Sequence, residues 1–241
     1  RSGARSVDDL ITMWAAMIEG DHFLSVEAAS PAEDLATALN VPGPVATEWL
    51  DALGAEEAAA FAQALNQRPA MHIRANSLKT TRVQLAALLK AEGVKTTEIS
   101  GVDTGLEVVG RANLTQTEAF KAGLFEVQDA SGQMLCAALP IDPGMRVLDL
   151  CAGAGGKSLA VAALGGRVTA TDIRASALHE LEKRARRAGA EIEIDEPEPA
   201  PIVLVDAPCS GSGRLRRNPA LRWGLTDGAH IDTQKSLILA A

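Results

Sequence analysis

From Gln128 onward the chain alternates short apolar runs with amphipathic stretches, and this alternation restricts the fold more than any other feature. Ser131 to Leu139 reads as a helix, and Arg146-Val147-Leu148-Asp149-Leu150 as a buried strand that runs into a glycine-rich turn. Lys157 to Leu164 is the next helix, Arg167 to Asp172 the second strand, Ala175 to Ala188 the second helix, and Glu191 to Ile194 the third strand. Ile202 to Val205 is the fourth strand. Such repetition predicts an α/β domain built on a doubly wound parallel sheet, with its ligand crevice at the carboxyl ends of the strands. One connection conflicts with that plan. A parallel crossover takes roughly a dozen residues or more, but only Asp195 to Pro201 separates Ile194 from Ile202. The fourth strand is expected on the far side of the first from the third, and the chain must also return along a strand, so residues are expected to be missing from this stretch.

The first 127 residues read differently. Residues 1–66 are a helical region: Leu10, Ile11, Trp14, Met17 and Ile18 keep helical spacing, Ser30-Pro31-Ala32-Glu33 is a helix start, and Gly54 splits two alanine-rich helices, Thr47 to Leu53 and Ala55 to Leu65. Residues 67–127 form a small α/β subdomain, with a strand at Met71 to Arg74, a helix over Thr80 to Glu92 and short strands near Thr97 and Leu106 to Val109. Its Arg74, Lys79 and Arg82 are either solvated surface charges or phosphate contacts. Residues 128–241 form the third region, the α/β domain, which is expected to lack its C-terminal strands.

Charge matters here because the whole chain carries a net −8, which argues against a polyanionic partner. The imbalance is local. Residues 1–66 hold 2 basic and 11 acidic residues, the rest 21 basic and 20 acidic. Only the first part resists nucleic acid. No apolar run reaches membrane length, so no membrane partner is expected. The 3 cysteines form neither a disulfide framework nor a metal-ligand spacing, which fits a reducing, cytoplasmic setting with no metal. Cys136 reads as an inert core residue. A chain that starts at Arg1 is expected to be part of a longer one.

The turn Asp149-Leu150-Cys151-Ala152-Gly153-Ala154-Gly155-Gly156-Lys157-Ser158 has three candidate ligands. A phosphate loop needs a glycine at position 151, where cysteine stands. A dinucleotide fingerprint is met by Gly153 and Gly155 but not by Ser158. S-adenosylmethionine suits the turn better, because its sulfonium and ammonium are attracted by a carboxylate such as Asp149 that would repel a pyrophosphate. The glycines admit close backbone approach, and Asp172 ends the second strand where a carboxylate accepts ribose hydroxyls, with Arg174 beside it. A purely structural turn is the remaining reading.

Asp206-Ala207-Pro208-Cys209-Ser210-Gly211 follows the fourth strand on the same rim. Cys209 is either a small buried residue or a thiol held beside a methyl donor. Nitrogen and oxygen acceptors need no thiol. Carbon 5 of a pyrimidine does, since thiolate addition to carbon 6 makes carbon 5 nucleophilic. Arg214, Arg216, Arg217 and Arg222 follow with no acid among them, which suits RNA phosphates or a solvated basic loop. Lys157, at a helix start, either orients Asp206 or caps the helix.

FEVQDASGQ (Phe125 to Gln133), VLDLCAGAGGK (Val147 to Lys157) and VLVDAPCSGSGRLRRNPALRW (Val203 to Trp223) together resemble the Nop/Sun RNA (cytosine-5) methyltransferases, including the bacterial small-subunit ribosomal RNA enzymes. The resemblance covers Arg74 to Ala241 and extends weakly over Ala32 to Leu65. It implies a Rossmann-like S-adenosylmethionine-dependent domain acting on RNA. Cys151 to Lys157, Asp172, Arg174 and Asp206 would line the cofactor and base site, with Asp195 as a further carboxylate. Cys209 would assist product release, and the nucleophile would sit in a Thr-Cys strand beyond Ala241. The family usually reads Cys-Ala-Ala-Pro-Gly-Gly-Lys where this chain has Cys151-Ala152-Gly153-Ala154-Gly155-Gly156-Lys157. The open alternatives are a methyltransferase for a small molecule or protein, and a non-catalytic RNA-binding or assembly factor that keeps the cofactor pocket. A monomer is favoured.

Overall fold

The computed structural model describes residues 32, 35–37, 41–207 and 211–224. Two compact units emerge, one containing residues 1–66 with 222–225, the other 67–221 with 226–241. In the first, helix α1 (Gly43–Asn66) is broken at Gly54, whose φ of 75° and ψ of 167° lie outside the helical region. Its apolar side buries Val45, Ala46, Ala58 and Ala62, and Trp49 meets Phe61 edge to face at 5.0 Å between ring centroids. The expected features at Leu10 to Ile18 and at Ser30 lie outside the described residues.

The second unit holds two sheets. The first is antiparallel, in the order β2-β3-β1-β4, from β1 (Met71–Ala75), β2 (Thr96–Glu98), β3 (Gly105–Val108) and β4 (Phe125–Val127). Helices α2 (Arg82–Ala91) and α3 (Glu118–Lys121) accompany it. Ile73, Leu85, Leu89, Leu106 and Phe125 form its core at 1% exposure or less. Thr81 starts α2 through a capping box with Gln84, each side chain serving the other's backbone amide. The sequence reading has no strand at β4. Three residues carry no period of their own, and the strand exists because Phe125, Glu126 and Val127 pair with Ala75, Arg74 and Ile73.

After α4 (Ala130–Ala137) comes the parallel sheet, ordered β7-β6-β5-β8, from β5 (Arg146–Asp149), β6 (Arg167–Ala170), β7 (Ile192–Ile194) and β8 (Ile202–Leu204). Helices α5 (Gly156–Ala163) and α6 (Ala175–Ala188) bury Leu159, Val161, Leu181 and Ala185 against Val147, Val168 and Ala170. The fourth strand stands beside the first, as the alternation predicts. The seven residues from Asp195 to Pro201 make this crossing without a helix. β7 and β8 have only three residues each, so the return along the sheet is about 10 Å and not a full strand length.

The loop after β1 stitches the two sheets together. Buried Asn76 donates to the carbonyls of Gly123 and Ala188, and Lys79 Nζ to those of Ala122 and Arg187. Lys79 and Asn76 thus satisfy carbonyls at the end of α6, where helix groups lack internal partners. Arg74 is 5% exposed and donates to Gln128. Arg82 donates to Val102 O and pairs with Glu98. None of the three is a free surface charge.

Candidate active site

The site grows from the carboxyl ends of β5, β6 and β8. Asp149 closes β5, and the chain turns at once: the Leu150 amide donates to Leu204 O, and the Ala152 amide to Thr171 O. The turn is thereby laid across the ends of both neighbouring strands. Gly153 (φ 54°) and Gly155 (φ 81°) take left-handed backbone conformations that suit glycine. Gly155 is doubly required, because a Cβ there would stand 2.6 Å from Leu181 Cγ on α6. The Ala154 carbonyl accepts from Arg184 Nη1 at 2.7 Å. Arg184 also binds Glu126 Oε2 at 2.9 Å, while Arg187 binds Glu126 Oε1 at 2.5 Å and covers the Phe120 ring. A buried acid on β4 therefore anchors the arginine that holds the turn.

Asp149 is 1% exposed and lies behind the turn. Its Oδ2 accepts from the Ser158 hydroxyl at 2.7 Å, and the Cys151 amide also serves the carboxylate. Burial pushes this carboxyl above the usual range, with the Ser158 hydroxyl, the Cys151 amide and Lys157 only partly opposing it. Asp172 behaves oppositely. Burial alone would raise it, but the Arg174 side chain and amide and the Gly153 amide hold its carboxyl below the usual value. Asp206, just after β8, is exposed and pairs with Lys157 at the start of α5. Cys151 sits among all three carboxylates. Burial, then Asp172, Asp149 and Asp206, push its thiol up. Cys136 is buried and is likewise pushed up, by burial first. Both thiols keep their protons near neutral pH.

The structure thus brings Asp149, the turn from Cys151 to Lys157, Asp172, Arg174 and Asp206 to one rim. Asp195 follows β7, exposed, and accepts the Glu196 amide. Cys209 lies outside the described residues. The basic loop needs correction. Arg222 is 3% exposed and donates to Asn66 Oδ1 and Leu65 O, so it is no phosphate contact. Arg216 spends Nε and Nη2 on the carbonyls of Gln67 and Arg68. Arg217 pairs with Asp129. Arg214 is exposed.

Three site features were missed in the sequence. Ser158 stood in the sequence only as the position that fails the dinucleotide fingerprint, although it donates to the strand-end acid. Arg184 gave no local signal. Ile173, between Asp172 and Arg174, is 94% exposed, an apolar side chain left open on the rim. Its position directly after a strand-end acid was the available clue. Among the described residues no cluster suited to a metal occurs, and no helix is long and apolar enough to cross a membrane.

Comparison with known proteins bears on both sheets. The profile for 16S rRNA methyltransferase RsmB/F matches residues 136–241, and that for the RsmF/B-like ferredoxin-like domain matches residues 32–115. The chain belongs to the RsmB/F methyltransferase family. Among its relatives, the probable ribosomal RNA small subunit methyltransferase B of Synechocystis is 34% identical over 200 residues, covering 74% of this chain and 45% of that protein. The Bacillus subtilis protein of the same description is 30% identical over 208 residues, covering 80% and 46%. This RsmB/F chain therefore spans a little under half the length of these relatives. NSun6 of Pyrococcus horikoshii shares the fold at a TM-score of 0.69, with 18% identity over 78% of this chain and 75% of that one. In RsmB/F terms, the antiparallel sheet β2-β3-β1-β4 falls largely within the ferredoxin-like match, and the rim lies within the methyltransferase match.

Proposed function

We infer that this chain binds S-adenosylmethionine at the glycine turn and methylates carbon 5 of a cytosine in RNA, ribosomal RNA being the class that the relatives' names indicate. The observation that carries the reading is the gathering of Asp149, Asp172 and Asp206 around the glycine turn at the strand ends, with the Gly153 amide on Asp172 and Lys157 on Asp206. That field favours a ligand bearing a sulfonium and an ammonium and opposes phosphates. The cofactor, when bound, supplies an electrophilic methyl group.

The chain's own residues do the rest. Gly153 and Gly155 let the backbone come close to the ligand. Asp172 accepts the ribose hydroxyls, and Ile173 offers the adenine an apolar face. Asp206, oriented by Lys157, holds the cytosine edge and stabilises the adduct. The attacking thiolate is none of the chain's three cysteines but that of the Thr-Cys motif the resemblance implies: it adds to carbon 6, carbon 5 takes the methyl, a base removes the carbon 5 proton, and the thiolate leaves. Cys209 assists that release. Arg214, and Arg217 once freed from Asp129, meet RNA phosphates. The setting is cytoplasmic, and the catalytic unit acts as a monomer without metal.

The test is transfer of labelled methyl from S-adenosylmethionine to small-subunit ribosomal RNA, followed by nucleoside mass spectrometry. Label in 5-methylcytosine is the expected result. Label in another nucleoside, in protein or in a small molecule overturns the substrate, and cofactor binding without transfer leaves a non-catalytic RNA-binding factor.

A further inference from the structure

Asp172 is already saturated by its own chain. Oδ1 accepts the Arg174 amide at 2.8 Å and Arg174 Nε at 3.1 Å. Oδ2 accepts the Gly153 amide at 2.8 Å and Arg174 Nη2 at 3.3 Å. A carboxylate offers about four acceptor directions, and all are used. Two are occupied by backbone amides fixed in the turn. The other two face a single guanidinium edge, whose paired N–H groups form a two-pronged fork. A ribose 2′,3′-diol presents the same pattern, with two adjacent O–H donors spaced to reach both oxygens of one carboxylate. The Arg174 side chain is 65% exposed, and among the described residues its guanidinium has no hydrogen-bond or ion-pair partner but Asp172. Nothing else restrains the fork.

We propose that Arg174 is an internal competitor for the ribose of the cofactor, occupying on Asp172 the acceptor pair that the diol must take. This rests on the S-adenosylmethionine reading of the site. Cofactor entry swings the guanidinium into solvent while the two backbone amides stay on Asp172. An exposed ion pair of this kind is weak, so the competition lowers affinity by about two- to five-fold and no more. Arg174 thereby sets affinity for ligands with an intact diol, and for those alone.

The experiment is calorimetric binding of S-adenosylhomocysteine and of its 2′,3′-dideoxy counterpart to the whole chain and to its Arg174→Ala and Arg174→Lys variants. Arg174→Ala is expected to bind S-adenosylhomocysteine about two- to five-fold more tightly and the dideoxy ligand unchanged. Arg174→Lys, whose ammonium cannot fork across both oxygens, falls between. Added salt tightens the wild-type complex toward the alanine variant and leaves the latter unmoved. Equal or weaker binding by Arg174→Ala, or an equal gain with both ligands, overturns the proposal and makes Arg174 a bystander or a ligand-binding group. If no form of the chain binds S-adenosylhomocysteine, the cofactor reading itself falls, and this inference with it. The substitution removes an exposed side chain, so unchanged thermal unfolding serves as the folding control.

Discussion

Asp149 and Asp172 show how two carboxylates on one rim acquire opposite chemistry. Burial raises Asp149, so the folded state holds its proton more tightly than the unfolded chain. Stability attributable to it falls as pH rises from the unfolded value toward the folded one, and at neutral pH the buried charge is a net cost. Asp149→Asn keeps an acceptor for Ser158 and removes that cost. The variant is expected to unfold at higher temperature at pH 7 while losing about ten-fold or more in S-adenosylhomocysteine affinity, read by calorimetry. Asp172 runs the other way. Its folded value is depressed, so its contribution is full above the unfolded value and is lost as pH falls through the folded one. Gly155 is the least replaceable residue of the turn. Gly155→Ala meets both a positive φ and Leu181, and is expected to cost about 2 kcal/mol or more in denaturant titration and to abolish cofactor binding. The strand-end acid and the glycine spacing were legible because both are local. The donors to Asp149 and Ala154 were not, since Ser158 and Arg184 reach them only through the fold.

At the level of elements, α6 was read correctly from Ala175 to Ala188 because its apolar and charged residues separate cleanly onto two faces. What escaped is that its charged side is partly internal. Arg184 and Arg187 converge on Glu126, an acid on a strand too short to be seen in the sequence. This ties the antiparallel sheet to the cofactor turn through one side chain. Arg184→Gln leaves Glu126 paired with Arg187 but frees the Ala154 carbonyl. The expected result is a loss of about 3 kcal/mol in unfolding free energy and weaker S-adenosylhomocysteine binding, with Arg184→Lys recovering part of both.

For the whole molecule, the charge map read from the sequence was right in its totals and wrong in part of its meaning. The arginines after Cys209 looked like one basic loop. The fold spends Arg222 and Arg216 on backbone carbonyls from positions 65, 67 and 68, which no local pattern announces. The two kinds of arginine should separate in one experiment. Arg214→Ala is expected to weaken RNA binding in filter assays and to reduce the slope of log K against log salt by about 1. Arg222→Ala is expected to lower the melting temperature by removing a buried, bonded guanidinium.

The brevity of the link between β7 and β8 bears on the order in which the sheet opens. β8 pairs with β5 alone among the described strands and is tied to β7 by seven residues, so it is expected to be the least firmly held strand of the sheet. Amide exchange at Leu150, whose N–H is held by Leu204, should report the opening of β8 at a lower free energy than exchange at Thr171, held by Asp149 between β5 and β6. An earlier opening at Leu150 than at Thr171 is the expected outcome, and it would leave the glycine turn and Asp172 framed by β5 and β6 after Asp206 has lost its strand.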